Sequence, residues 1–543
     1  MLEERRPQAA VAVTGETAPA ARPASAYRDP VTWAIVAAVF GAYLALSLFR
    51  SLQLAISSWD LGIFTEYVKQ YANLRPPIVD ILGPGSNLLG DHFHVILALI
   101  APFFRVFPSP VTLLVVQALL TAVSVFPVAQ AATALLGQAT GRAVGAAYGC
   151  SWGLQQMIDF DFHEIAFAVP LLAFSLSALV RGRTRAAVAW ALPLIFVKED
   201  QGFTIAAIGL LMQVAAVREA RAGGAVTGRL RGSTWGGYFL IVWGMAWSLL
   251  AIIVIIPHFN IDHRYVFWSH GGLIGSGDPL SANGLIRQTF YAWPVKLQTV
   301  VMLLLPTVFI ALGSPVAVVA LPSIVLRFIS TDSAYWGTWF HYNATVMPIL
   351  FIAAVDAMAR WRTISSPAPD VLSAPSADSP SADAEPAPGG APVADAPPAA
   401  GAPSAAGAWG VSLRDAAARH GAAMMLAVAV ALAFQFPLSN LWHGTTYEIS
   451  PYVAAADAAM ARVPDGATVL TTLNLLAPLA ARTDTFWIGN SGNPATQYIV
   501  FDGLNSGYSP APANVPAFIR QLYPKDGYRQ VFARDQVYVF RRT

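Results

Sequence analysis

Residues 31 to 49 read VTWAIVAAVFGAYLALSLF, nineteen residues without a charge, and Arg50 closes the run. At about 1.5 Å of rise per residue, a helix of this length crosses most of the roughly 30 Å hydrocarbon core of a bilayer. No small-residue cleavage pattern follows, so the run reads as an uncleaved signal anchor. Residues 1–30 ahead of it are rich in Ala, Pro, Thr and Arg and carry Arg5, Arg6, Arg22 and Arg28. Basic flanks stay on the cytoplasmic side, which predicts a disordered cytoplasmic tail and an external first loop over 50–92.

Working outward, apolar blocks recur at about 93–107, 111–137, 142–158, 163–180, 186–199, 201–217, 236–257, 293–312, 314–329, 342–359 and 421–437. Only 12% of the 543 residues are charged and 55% are apolar, whereas an ordinary soluble protein has roughly 25% charged residues. With a mean hydropathy of +0.52, the composition excludes a soluble enzyme and predicts an α-helical polytopic membrane protein. A net charge of +2 gives no basis for nucleic-acid binding. The single cysteine, Cys150, lies in an apolar run, so neither a disulfide framework nor a Cys-based zinc site is possible.

Arg181, Arg183 and Arg185, and the loop from Arg218 through Arg231, should both be cytoplasmic. An even number of crossings is then needed between Phe107 and Arg181, where three blocks are visible. Pro127 sits in the middle of the longest, and proline removes a helical hydrogen bond. Splitting that block there predicts about 13 transmembrane helices. The same parity puts Asp159 to Glu164, Lys198 to Asp200, the 258–292 loop and Trp339 to Tyr342 on the external side with the first loop.

The chain then divides into a core over 31–360, a Pro/Ala-rich disordered cytoplasmic linker over 361–418, a last transmembrane helix over 419–438 and a C-terminal domain over 440–543. In this last part β-rich runs (Thr468 to Thr471, Thr485 to Trp487, Tyr498 to Phe501, Tyr528 to Ala533, Val537 to Phe540) alternate with segments such as 451–462 and 514–522. That pattern predicts a small external α/β domain. Its loop Gly489 to Asn493 lacks a phosphate-loop lysine and reads as a turn rather than a nucleotide site.

Polar residues that could carry chemistry gather in the external segments. In the stretch that opens Ser57-Ser58-Trp59-Asp60, residues Leu61, Phe64, Val68 and Tyr71 recur at helical spacing, with Glu66, Lys69 and Gln70 between them. This suits a helix in the membrane interface. Asp60 starts it, as its N-cap, as a base, or as both. Asp91, His92 and His94 at the mouth of the second span either anchor that span by hydrogen bonds or hold a divalent metal. The conditional metal set is Asp60, His92, His94 and His163. Asp159, Asp161, His163 and Glu164 form a second cluster, and Glu199 and Asp200 a third. Charges at span ends face water or a cavity, because the bilayer centre costs them about 2.5–3.5 kcal/mol. Lys198, Arg264, Arg327 and His341 either bind a phosphate or pair with the carboxylates. Trp336, Trp339, Tyr342, Tyr265, Phe267 and Trp268 suit an interfacial aromatic belt.

These residues carry a family likeness. Asp60 to Phe64, Leu89 to Phe93, Ala101-Pro102-Phe103, Gln117, Lys198-Glu199-Asp200 and His341-Tyr342 together resemble an uncharacterised family of bacterial polytopic membrane proteins grouped with the glycosyltransferase-C superfamily. The likeness covers most of residues 50–360 and, more loosely, the C-terminal domain. It implies a glycosyltransferase-C-like core, a polyprenyl-phosphate sugar as donor and Asp60 as general base. Where the superfamily often has an acid pair or an E-x-D, this chain has Asp60 alone, with Glu66 two turns later. The resemblance further implies an inverting displacement onto a cell-envelope acceptor (glycan, lipid or protein) at the external face of the bacterial cytoplasmic membrane. Lys198, Arg327 or His341 would steady the departing phosphate. Asp91, His92, His94, Asp161, His163, Glu164, Glu199, Asp200 and Tyr342 would shape the pocket. Two other functions compete: a transporter or flippase of an envelope precursor, against which no inverted repeat is visible, and a non-catalytic envelope assembly protein working through residues 440–543.

Overall fold

Asp29 and Pro30 explain where the first span begins. The Asp29 carboxylate accepts the Thr32 N–H at 3.2 Å, and Pro30 occupies the first helical position, where its missing N–H costs nothing. Helix α1 runs Pro30–Leu52. The structure, a computed structural model, describes residues 25–55, 58–221, 233–265, 287–330, 332–365, 405–508 and 510–543. Most of the expected tail and linker, residue Ser57, and Phe267 and Trp268 lie outside the described residues.

Among the described residues six helices are long and apolar enough to cross a membrane: Pro30–Leu52, Pro110–Leu136, Gln201–Arg221, Thr234–Phe259, His341–Arg362 and Leu413–Ala433. Val95–Val106, Glu164–Val180, Thr184–Phe196 and Pro315–Phe328 are shorter apolar helices. The apolar window of His341–Arg362 is 94% buried against 28% for Thr234–Phe259, which makes the former the central helix. Gln201–Arg221 and Thr234–Leu250 meet through glycines. A Cβ on Gly202 would lie 2.3 Å from the Gly244 carbonyl oxygen, and one on Gly209 would lie 2.6 Å from that of Gly237. Small residues let helix backbones approach closely where lipid offers no hydrophobic drive.

Two expectations about the spans change. Residues 110–136 do not fold back at Pro127. The interruption falls at Ser124, whose φ of −64° and ψ of −18° keep the chain helical, so Pro110–Leu136 is one candidate span. Pro127 is the third residue of the segment Val125–Leu136, and only Ser124 separates that segment from Pro110–Val123. Conversely, the block at 293–312 is not one helix. Val308 and Phe309 adopt positive φ, 50° and 59°, just after Pro306, and irregular backbone of this kind is tolerated at membrane depth where protein covers it. The expected linker is also shorter than 361–418, because a helix begins at Ala405 and runs to Ala433.

One end of the bundle is basic. Arg142 forks onto Asp29 at 2.9 and 2.8 Å, and Arg362 donates to the Leu136 and Ala418 carbonyls, each at 2.9 Å. At the other end lies helix α2, Asp60–Ala72, which the C-terminal domain covers. That domain is a five-stranded sheet of order β2-β1-β3-β5-β4, with β1 Thr468–Thr471, β2 Asp484–Trp487, β3 Tyr498–Asp502, β4 Tyr528–Arg534 and β5 Val537–Arg542. Strand β1 is parallel to β2 and β3, and β5 is antiparallel to β3 and β4. The short helix Leu476–Ala480 sits on α2, close enough that a Cβ on Gly62 would come 2.9 Å from that of Leu476. Lys69 Nζ donates to the Thr483 carbonyl at 2.6 Å, and Asn490 Nδ2 to that of Ile81 at 2.7 Å. The C-terminal domain is thereby built onto the loop that carries Asp60.

Candidate active site

Asp60 is the first residue of α2 and makes no side-chain cap, so the expectation that it serves as N-cap is not met. Its own N–H donates to Ser58 Oγ at 3.0 Å. Capping needs the carboxylate folded back onto the following N–H groups; here it is left to face the space shared with Glu164, Lys198, Asp91 and His92. Burial, then the nearby Glu164 carboxylate, pushes the half-buried Asp60 carboxyl up to about 7, against the pull of Lys198. Glu66, the other acid of α2, points elsewhere. It is buried under the 76–88 loop and accepts the Ile81 N–H at 3.3 Å.

Asp60 is not itself in the lining, but two of its charged neighbours, Lys198 and His92, line a cavity of about 190 Å³, with His163, Glu199, Asp200, Tyr265, Arg327, Tyr335, His341 and Tyr342. Two buried carboxylates support it. Glu199 takes His92 Nδ1 at 2.7 Å, the Phe93 N–H at 3.0 Å and the Tyr265 hydroxyl at 2.8 Å. Burial alone would raise Glu199, but His92 and Lys198 outweigh it and hold the carboxyl at about 2. The same ion pair overrides the effect of burial on His92 and raises its pKa. Glu164, fully buried, faces Lys198 Nζ at 3.3 Å and His163 Nδ1 at 2.8 Å. Burial opposes the charge on Lys198, yet Glu164 keeps its pKa well above the ordinary lysine value. The cavity therefore receives cationic groups whose counter-charges sit behind them.

His163 stacks on His341 with ring centroids 3.4 Å apart and a 19° tilt. Phe160 and Tyr342 flank His341 at 4.6 and 4.1 Å. The backbone is strained on both sides of this stack: Asp161 has φ 78°, and Phe340 has φ 67° with ψ −177°. Such conformations cost about 1–3 kcal/mol each and persist where the surroundings enforce them, often at functional sites.

The structure thus brings together most of the residues expected from sequence and reassigns several. Asp161 is not in the cavity lining; it lies 3.8 Å from Arg50, which also pairs with Asp159 at 3.0 Å. Gln117 fastens the same turn, donating to the Asp161 carbonyl and accepting the His163 N–H at 3.0 Å. His94 is buried between Phe64 and Tyr67, outside the lining, and burial drops its pKa to about 3. Asp91 is also outside the lining, and Arg264 pairs with exposed Asp262 instead. Tyr265 and Tyr342 line the cavity rather than forming a lipid-facing belt, and Trp336 is buried with its indole N–H on the Ser330 carbonyl. Trp339 alone of the described belt candidates is well exposed. Tyr335 and Arg50 carried no recognisable motif, and Gln117, although part of the family likeness, had no role assigned, since the turn it fastens is distant in sequence.

Arg327 lines the cavity, but its donors are spent on the adjoining loop: Tyr335 O at 2.9 Å, Tyr342 O at 3.3 Å, Gly337 O at 3.3 Å and Asn343 Oδ1 at 3.0 Å. It pins residues 335–343 and so positions His341. Arg327→Met is expected to lower the thermal midpoint markedly, since each buried acceptor left without a donor costs about 1–3 kcal/mol. Arg327→Lys should not restore it, because one ammonium cannot span these acceptors. An unchanged melting curve for either variant would contradict the pinning role.

Among the described residues no group of three or more His, Cys, Asp or Glu is arranged to hold a metal ion. The conditional set fails for a geometric reason: His92 is turned onto Glu199, His163 onto Glu164, and His94 is enclosed by aromatic rings.

No curated protein matches the chain. Among solved structures, ArnT from Cupriavidus metallidurans bound to undecaprenyl phosphate is similar at 14% identity and TM-score 0.51, with 94% of this chain and 98% of that one covered. Its apo state is similar at TM-score 0.50 and 14% identity, covering 94% and 97%. The fold is accordingly glycosyltransferase-C-like over nearly the whole chain. A family model described as predicted membrane protein (DUF2079) matches residues 50–371. With well over half of its length inside that match, the chain belongs to this family of polytopic membrane proteins.

Proposed function

We propose that the protein is a membrane glycosyltransferase that moves a sugar from a polyprenyl-phosphate donor to a cell-envelope acceptor. The observation that carries this reading is the placement of Asp60, a carboxylate uncommitted to its own helix, beside a cavity backed by Glu164 and Glu199 and carrying Lys198 and His92. ArnT, of similar fold, binds undecaprenyl phosphate, which supports a lipid phosphate as the group those cations receive. Asp60 takes the proton of the acceptor hydroxyl as its oxygen attacks the anomeric carbon. The bond from that carbon to the phosphate oxygen breaks with inversion, and the polyprenyl phosphate leaves against Lys198 and His341. Glu199 and Asp200 set the charge around the sugar. The arginine-rich end would face the cytoplasm by the positive-inside rule, with the cavity and residues 440–543 on the external side of the bacterial inner membrane.

Native mass spectrometry of the detergent-purified protein with undecaprenyl phosphate and its monoglycosyl derivatives tests this. Saturable retention is expected, weakened by His341→Ala. Folded protein that retains no such lipid, or that scrambles it across proteoliposomes without transferring sugar, would refute the transferase reading.

A further inference from the structure

We propose that Trp59 and Trp487 form a stacking platform for a saccharide ring, so that the acceptor delivered to Asp60 is a glycan or carries one. The inference rests on the transferase reading and names the acceptor class for that same site. Trp59 immediately precedes Asp60, and Trp487 is the last residue of β2 in the C-terminal domain. Their ring centroids lie 4.8 Å apart at 71°, an edge-to-face pair. In that arrangement the edge of one indole meets one face of the other, which leaves the faces of the first ring clear of its partner, and an electron-rich face is what the polarised C–H groups of a sugar ring stack on.

An aromatic pair of this kind could simply close the junction between α2 and the C-terminal domain. The rest of that junction argues otherwise. Leu61, Leu476 and Ala477 are sealed at 1–2% exposure, whereas Trp59 and Trp487 both stay part-exposed. The loop behind Trp487 is also built to hold the ring still. Gly489 lies against the indole so closely that a Cβ there would come within 2.4 Å of it. Asn493 Nδ2 donates to the Trp487 carbonyl at 2.8 Å, and the Tyr508 hydroxyl to that of Ile488 at 3.2 Å. Asn490 ties the loop to Ile81, on the loop that follows α2. The turn Gly489 to Asn493, which has no lysine for a phosphate, thereby acquires a role as the rigid support of an aromatic surface.

Isothermal calorimetry on the full-length protein in detergent, with glucose-, mannose- and N-acetylglucosamine-based tetrasaccharides, tests the platform. At least one should bind, with affinity reduced tenfold or more in Trp487→Ala and in Trp59→Ala, and about threefold in Trp487→Phe. Retention of undecaprenyl phosphate, measured on the same preparations, should not change and reports that the variants are folded. Absence of saccharide binding to wild type, or equal binding by the alanine variants, would overturn the platform while leaving the transferase reading intact. Saccharide binding without any lipid-phosphate retention would instead overturn the transferase reading and leave the platform.

Discussion

Asp60→Asn is expected to lower sugar transfer by about 10²–10⁴-fold, the usual contribution of a positioned general base, while leaving retention of the lipid phosphate unchanged. The amide has nearly the same shape but cannot accept a proton at neutral pH. The wild-type carboxyl is held at about 7 by burial and by Glu164, and only its ionised form is a base. Transfer should therefore rise about tenfold per unit of pH below 7 and level off above it, and this limb should vanish in Asp60→Asn. Stability provides an independent check with a defined sign. A carboxyl whose folded pKa is raised adds no cost below its unfolded value near 4 and destabilises the fold increasingly as pH climbs to 7. Asp60→Asn should thus melt at a higher temperature than wild type at pH 8 and at about the same temperature at pH 4. A variant that keeps wild-type turnover while showing this stability pattern would remove Asp60 from the chemistry.

Lys198→Ala is expected to fail in two separable ways. Lys198 faces Glu164 at 3.3 Å, and Glu164 is fully buried with His163 at 2.8 Å on its other side. Removing one member of a buried ion pair strands the other charge and costs about 3–5 kcal/mol, so the single variant should be strongly destabilised. Lys198→Ala combined with Glu164→Gln removes the stranded charge and should recover most of the thermal midpoint. Lipid-phosphate retention should stay low in both, because the cation itself is gone. Recovery of retention along with stability in the double variant would mean that Lys198 serves only the fold.

The residues that were legible in the sequence are those whose character is local. Asp60 stands at the start of an amphipathic run, His92 and His163 at the ends of apolar blocks, and Lys198-Glu199-Asp200 directly before one. Each was visible because a charge beside a membrane span is expensive without a purpose. Their division of labour was not visible. Glu199 and Glu164 look alike in sequence, yet one orients His92 and Tyr265 and the other backs Lys198 and His163. Arg327 has the charge for a phosphate ligand, but the carbonyls around it use its donors. Tyr265 and Trp336 have belt-like composition and prove to be turned inward.

By itself the sequence determined the class of protein, because hydrophobic length and charge scarcity act additively along the chain and need no knowledge of neighbours. It also determined the C-terminal domain, whose alternating strands and turns are short-range signals. Only the tertiary structure decided that His92, His163, residues 198–200, Arg327, Tyr335, His341 and Tyr342 converge on one cavity, that Pro110–Leu136 forms one candidate span through Ser124, and that the C-terminal domain holds Trp487 beside Trp59. These outcomes depend on contacts between residues hundreds of positions apart, where the competition for each hydrogen-bond donor is settled by packing.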